Sequence, residues 1–358
     1  MLEKEIVNLD DLAGYPQLDT EGMLTHIHNF PRLCEQAWRM VASFSLPEDY
    51  GRVNKVVVLG MGGSAIGGDL VRSLIESESK IQIAVCRDYD LPRWVDDRTL
   101  VIASSYSGMT EETLSAFEQA LDTPSKKLAI TAGGKLKTFQ ESMGIPVISF
   151  EYKSQPRAAL PFSFFLILGV LQKLNLILDK SQEVVETLVN LNGMAARINE
   201  KVPTTQNPAK ELARNLYGRL AVIYGAGITA EVAHRWKTQI NENSKTMAFY
   251  EVFPELDHNS VVGYSFPEEL TRQAFVIMLD SNLLHERNRL RFEITQKLLE
   301  QSGIYYRVLN AEDGGAMSQM LSLVLFGDYV SYYLAMLNQV NPTPVKPIDF
   351  LKNDLAKS

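Results

Sequence analysis

Short continuous apolar runs recur along the chain, each closed by a glycine- or hydroxyl-rich turn and followed by a segment of helical spacing. Val56-Val57-Val58-Leu59 runs into Gly60-Met61-Gly62-Gly63-Ser64-Ala65-Ile66-Gly67-Gly68, and an amphipathic stretch through Leu70, Val71 and Leu74 comes next. Leu100-Val101-Ile102-Ala103 leads into Ser104-Ser105-Tyr106-Ser107-Gly108-Met109-Thr110, then a helical pattern through Leu114, Phe117 and Leu121. Ile81 to Val85, Lys127 to Thr131 and Pro146 to Phe150 read as further strands. Strands that are apolar throughout, rather than alternating, are buried on both faces. That is the mark of a parallel sheet covered by helices, an α/β fold.

Residues 1–50 show helical packing with loops and no strand signal, and 160–218 read as helical again. The rhythm then restarts. Leu220-Ala221-Val222-Ile223-Tyr224 is a strand ending in Gly225-Ala226-Gly227-Ile228-Thr229-Ala230, with a helix through Val232 and Trp236. Ala274 to Leu279 and Tyr305 to Leu309 supply more strands, with a helix over Leu290–Leu299 between them and a long apolar helix over Met317–Leu337. One strand–glycine-turn–helix device used twice predicts a repeated α/β domain. The pattern breaks near 190–215, at Asn192, Gly193, Pro203, Asn207 and Pro208. The expected plan is an N-terminal helical segment at 1–45, a first domain at 46–195 and a second at 196–358 that includes the C-terminal helices.

Length agrees with this plan, since 358 residues exceed the about 250–300 at which a single core stops growing. The formal charge of −8 gives no general attraction for nucleic acid or an anionic membrane, so an anion must be held by a local device. Cys34 and Cys86 form no Cys-x-x-Cys pair and no disulfide framework. The first residues carry both signs of charge and no apolar core, unlike a signal peptide. The apolar stretch Ala158–Leu171 is interrupted by Pro161, Ser163 and Gly169 and is shorter than the roughly 20 residues of a membrane span, so it reads as a buried helix. A cytoplasmic location follows by default.

The glycine run at 60–68 lets backbone approach a ligand and offers the free N–H groups of a helix start. A dinucleotide fingerprint fits Gly60 and Gly62 but meets Ala65 at its third position, which leaves nicotinamide binding open. The hydroxyl-rich turn decides for phosphate. Ser105, Ser107 and Thr110 crowd one turn, and hydroxyls with N–H groups can satisfy a monophosphate without a cation, as suits an acidic protein. Thr110 also reads as a helix N-cap ahead of Glu111 and Glu112, two carboxylates that would repel a nearby phosphate unless they point away. In the second half, Gln239-Ile240-Asn241-Glu242-Asn243 closes a helix and Pro254-Glu255-Leu256-Asp257-His258-Asn259 follows. A carboxylate and an imidazole suit proton transfer between neighbouring carbons. Glu242 equally reads as a solvated helix end, and His258 as a loop histidine. His26 and His28 share metal-compatible spacing, but no acidic or cysteine cluster supports a metal, and a structural role is expected; His234, beside Arg235, and His285 read as surface.

Taken in order, the glycine–serine turn, Ser105-Tyr-Ser-Gly-Met-Thr-Glu-Glu-Thr113, Asn241-Glu-Asn-Ser-Lys245 and Glu255-Leu-Asp-His-Asn259 resemble the bifunctional phosphoglucose/phosphomannose isomerase family, from about residue 20 to the end. The resemblance implies two sugar isomerase (SIS) domains, each a flavodoxin-like parallel sheet flanked by helices. It implies aldose–ketose isomerisation of glucose 6-phosphate, and of mannose 6-phosphate, with fructose 6-phosphate through a cis-enediol, a step of glycolysis and gluconeogenesis. By the same resemblance, Gly63, Ser64, Ser105, Ser107 and Thr110 bind the phosphate and Arg157 lies near the reacting carbons. Glu242 is the base, and His258 opens the sugar ring across a homodimer interface. Lys352 assists, with Lys346 as its rival. No metal or redox cofactor is implied. Asp257 departs from the Asn common before this histidine. A non-catalytic sugar-phosphate sensor, and an isomerase of another phosphorylated sugar, are the alternatives.

Overall fold

The structure, a computed structural model, describes residues 7–357, without the side chains of 140 and 141. The described chain forms two compact units. One comprises Asn29–Asn190 with Asp313–Ser318, and the rest forms the other. The N-terminal helical segment read at 1–45 is thereby divided between them.

The first unit is built on a parallel sheet in the order β2-β1-β3-β4-β5, with β1 Lys55–Leu59, β2 Gln82–Cys86, β3 Thr99–Ser105, β4 Lys126–Thr131 and β5 Val147–Ser149. This is the flavodoxin-like order. Val56, Val57 and Val58 have no exposed surface, as a central strand covered on both faces requires. Small residues set the packing distances. A Cβ at Gly68 would stand 3.1 Å from Val58, one at Gly67 would strike Ser163, and one at Gly169 would strike Val41. The helices Gly62–Ile75, Leu160–Lys173 and Phe30–Ser43 therefore lie close to the sheet or to each other. The apolar Ala158–Leu171 stretch is the inside of this unit: residues Leu160 to Leu171 are all buried.

The second unit holds a four-stranded parallel sheet, β7-β6-β8-β9, with β6 Leu220–Ala226, β7 Ala248–Phe253, β8 Ala274–Asp280 and β9 Tyr305–Asn310. Strand β7 escaped the sequence reading. It is an edge strand with Phe249 half exposed and Glu251 in its middle, so it lacks the continuous apolar run that marks its neighbours. The Ala316–Leu337 helix is long and apolar enough to cross a membrane by length and composition, but its apolar window is wholly buried in the protein and includes Asp328. Residues ahead of the first sheet are tied into this second unit. The Lys210 ammonium, fully buried, donates to Asp10 Oδ1 at 2.9 Å and to the Glu200 carbonyl at 2.8 Å, and the Tyr15 hydroxyl donates to the Leu9 carbonyl at 2.8 Å.

Candidate active site

In the first unit the two sequence-predicted turns meet above the carboxyl ends of β1 and β3, the edge where open parallel sheets take their ligands. Gly60 leaves no room for a side chain, since a Cβ there would lie 2.8 Å from the Ser104 carbonyl oxygen. Gly62 adopts φ +49° and starts the Gly62–Ile75 helix. The Tyr106 N–H donates to Ser64 Oγ at 3.1 Å, and Ser104 Oγ donates to the Ser64 carbonyl at 3.2 Å, joining turn to turn. Ser105 Oγ and Thr110 Oγ1 are 2.8 Å apart, and Ser105 Oγ accepts from the Gly108 N–H. Ser107 is exposed, its Oγ accepting from the Met109 N–H at 3.2 Å. Gly63, Ser64, Ser105, Ser107 and Thr110 thus form one cluster. One detail of the sequence reading is corrected: Thr110 occupies the N-cap position of Glu111–Leu121, but its side chain makes no capping bond, because the hydroxyl is engaged with Ser105.

Arg157 belongs to the same cluster through its backbone. A Cβ at Gly63 would stand 3.0 Å from Arg157 Cα and 2.9 Å from the Pro156 carbonyl oxygen. The Arg157 side chain is only 2% exposed, a buried cation beside a phosphate-type cradle. Glu111 is exposed, and both carboxylates, those of Glu111 and Glu112, act on the Tyr89 hydroxyl, whose pKa is raised by desolvation first and by their charges second.

A third glycine turn, passed over in the sequence, braces the cradle. Gly108 and Gly134 sit at φ +64° and +65°, and a Cβ on either would collide with the other's turn: Gly108 with the Gly133 carbonyl, Gly134 with the Ser107 carbonyl. Ala132 N–H donates to the Tyr106 carbonyl and Leu136 N–H to that of Gly108. Thr131-Ala132-Gly133-Gly134 closes an apolar strand just as the first two turns do, so its signal was present in the sequence. Beside the brace lies an open surface depression of about 620 Å³ lined by Tyr106, Ser107, Gly133, Glu151, Tyr152 and Lys153. The Tyr106 hydroxyl donates to the Tyr152 carbonyl at 2.6 Å, and burial pushes the Tyr152 phenol up to about 12.

Glu242 lies in the last turn of the Ala230–Ser244 helix, among neighbours that are each pinned. Asn243 Nδ2 donates to Ser331 Oγ at 2.9 Å and Ser244 Oγ to the Ser331 carbonyl at 2.7 Å. Asn241 Nδ2 donates to the Thr246 carbonyl, and Lys245 ends the helix in the left-handed region at φ +54°. Higher up the same face, Arg235 Nη2 reaches both oxygens of Asp328, at 3.3 and 3.2 Å, and Gln239 Nε2 donates to Asp328 Oδ1 at 2.8 Å. Positions 235, 239 and 243 recur every four residues, so they form one stripe. Arg235 is 1% exposed and therefore no surface residue; its polarity hid a buried face from a hydrophobicity pattern. His234 is half-buried rather than at the surface, stacked on Tyr250 at 4.5 Å, and His28 pairs with Glu200 at 2.8 Å.

His258 is exposed at the end of the short 3₁₀ helix Glu255–His258, just past β7. Asp257 accepts from Arg291 Nη1 at 2.9 Å and from Thr295 Oγ1 at 3.0 Å, which gives the acidic residue at this position its partner. The register separates Glu242 from His258. Strand β7 starts at Ala248 beside Ala221, near the helix end that carries Glu242, and finishes at Phe253 beside Ala226, next to His258. The two therefore lie at opposite ends of the same sheet, with roughly 17 Å of strand between them. Lys346 and Lys352 are both exposed on the Lys346–Leu355 helix, at its first residue and in its last turn. Six residues turn a helix by about 240°, so the two present to different sides.

The glycine turn of the second unit, at 225–230, is closed by its own contacts. Thr229 Oγ1 lies within hydrogen-bond distance of the carbonyls of Leu279, at 2.8 Å, and Ala226, at 3.0 Å, with one proton to donate between them, and accepts from the Ala226 N–H, and a Cβ at Gly225 would strike the Thr229 carbonyl. It sits at the far end of a 15-residue helix from Glu242, about 20 Å away.

Comparison with known proteins gives the geometry its context. Residues 205–355 match the family model described as the bacterial phospho-glucose isomerase C-terminal SIS domain. A bifunctional phosphoglucose/phosphomannose isomerase of Caldicellulosiruptor bescii is 44% identical over 94% of this chain and 99% of its own length. One from Aquifex aeolicus is 35% identical over 90% of this chain and 99% of its own. The crystal structure of a hypothetical protein from Thermus thermophilus superposes with a TM-score of 0.71 at 16% identity, covering 98% of both chains, which shows a shared fold.

Proposed function

Because the chain belongs to the bifunctional phosphoglucose/phosphomannose isomerase family, we propose that it interconverts glucose 6-phosphate and mannose 6-phosphate with fructose 6-phosphate. The observation that carries the reading is the cradle of Gly63, Ser64, Ser105, Ser107 and Thr110, a set of N–H and hydroxyl groups beside a buried arginine. Phosphate held there anchors the sugar by the end remote from the reaction, so binding energy serves orientation at C1 and C2.

His258, with Lys352 or Lys346, opens the ring. The Glu242 carboxylate takes the C2 proton of the open aldose. The released electron pair forms the C1–C2 double bond as the C1 carbonyl oxygen gains a proton, giving a cis-enediol. The O2 hydroxyl then gives up its proton, the carbonyl forms at C2, and Glu242 returns its proton to C1. Arg157 stabilises the negative charge that develops on oxygen. The enediol has no stereocentre at C2, so glucose and mannose phosphates share it. The hydrogen moves between neighbouring carbons with no net oxidation, and the reaction calls for no redox cofactor.

The separation of Glu242 from His258 along β7 supports a homodimer in which each site takes its histidine from the other copy. A cytoplasmic enzyme of sugar-phosphate metabolism is the corresponding setting. A coupled assay on both aldoses tests the reading. Glu242→Gln is expected to lower turnover by about 10²–10⁴-fold while phosphate-competitive binding persists, and full activity in that variant would remove Glu242 from the mechanism.

A further inference from the structure

The His258 ring is exposed and has no hydrogen-bond partner among the described residues, so its position depends on the backbone that carries it. That backbone is a four-residue 3₁₀ helix, too short to hold itself. What holds it is Asp257. Its two oxygens are both taken by the Glu286–Gln301 helix, Oδ2 by Arg291 Nη1 at 2.9 Å and Oδ1 by Thr295 Oγ1 at 3.0 Å. Arg291 and Thr295 are four residues apart on one helical face. Thr295 is 1% exposed, so the anchor point is core. Leu256, with no exposed surface, fixes the turn from the other side, and Asn259 Nδ2 closes it onto Glu255 Oε1 at 2.8 Å.

We propose that Arg291 and Thr295 are positioning residues for ring opening. Acting through Asp257, they clamp the turn that presents His258. The inference rests on the reading of His258 as the ring-opening residue. It also accounts for an acid at 257: a carboxylate can take the guanidinium and the threonine hydroxyl at once, whereas a carboxamide oxygen offers one atom to two donors and its NH₂ faces a cation.

The test uses Arg291→Ala, Thr295→Val and, as reference, His258→Ala in the full-length protein. Four quantities are read: turnover of glucose 6-phosphate, enzyme-catalysed interchange of its anomers by NMR exchange spectroscopy, the thermal midpoint, and inhibition by a six-carbon aldonate 6-phosphate, an acyclic compound that needs no ring opening. Arg291→Ala is expected to lower turnover and anomer interchange together by about ten- to a hundredfold, toward the His258→Ala level, with aldonate inhibition and thermal midpoint close to those of the unaltered protein. Arg291→Lys, which keeps a charge within reach of Asp257, recovers part of the loss. Unchanged anomer interchange in both Arg291→Ala and Thr295→Val would overturn the proposal. So would a parallel loss of aldonate inhibition, which marks a merely structural role. If His258→Ala itself opens rings normally, the reading of His258 fails, and that outcome is distinct from either.

Discussion

Two inactive chains should restore each other. Glu242 and His258 stand at opposite ends of the second sheet, roughly 17 Å of strand apart, while proton transfer and ring opening act on one six-carbon sugar. A two-fold dimer in which each site combines one copy's Glu242 with the other's His258 satisfies both facts. Co-expressing Glu242→Gln with His258→Ala in equal amounts makes half of the dimers mixed. Each mixed dimer has one site with both groups intact and one site with neither. Activity of the mixture should therefore recover to about a quarter of the unaltered enzyme, although each variant alone is nearly inactive. The double variant carrying both changes, co-expressed with the unaltered chain, should leave about a quarter as well, because every mixed dimer then has two broken sites. Two affinity tags allow the mixed dimers to be isolated and assayed for glucose 6-phosphate turnover. If both groups served the site of their own chain, the first mixture would recover nothing and the second would keep half. Either result refutes the shared site.

Two further outcomes follow from buried and paired charges. Arg235→Ala takes the guanidinium from buried Asp328 and should cost about 3–5 kcal/mol in urea unfolding; Arg235→Leu with Asp328→Leu should cost less, about 1–3 kcal/mol, since neither charge of the pair is then left without the other. Asp96 ties the start of β1 to that of β3, accepting from Lys55 Nζ at 2.7 Å and Thr99 Oγ1 at 2.9 Å, and these bonds hold its carboxyl down at about 2. A depressed carboxyl stabilises the fold above its ordinary pKa near 4 and loses that contribution as pH falls through about 2. The urea midpoints of the unaltered protein and Asp96→Asn should differ at pH 5 and converge at pH 2.

The sheets were legible because their strands are covered on both faces, and so apolar from end to end: every strand read from Val56, Leu100, Leu220 or Ala274 lies where its run lies. The same criterion missed β7, which borders solvent. The cradle was legible because close backbone approach needs glycine and a turn rich in hydrogen-bonding groups needs hydroxyls, and both leave dense local signatures at 60–68 and 104–110. The supporting parts were not. The stripe of Arg235, Gln239 and Asn243 is a helix core made of polar side chains, which no hydrophobic period detects, and its partners Asp328 and Ser331 lie more than eighty residues away. The clamp on Asp257 draws on Arg291 and Thr295, distant in sequence and ordinary in type. Residues that touch a ligand announce themselves by chemistry, while residues that hold them are defined only by the fold.

The Asp10–Lys210 pair bears on how this chain can be divided. The family match begins at residue 205, and a fragment cut there would look like a self-contained domain. It would carry the Lys210 ammonium, which has no exposed surface, without Asp10 and without the Glu200 carbonyl that accepts its second hydrogen bond. An uncompensated buried cation costs several kcal/mol, a large fraction of what stabilises any domain. The segment around Asp10 is thus a missing piece of the last half, and a fragment meant to study Glu242 and His258 in isolation would need to reach back past Glu200 and have the Asp10 segment supplied as a second polypeptide.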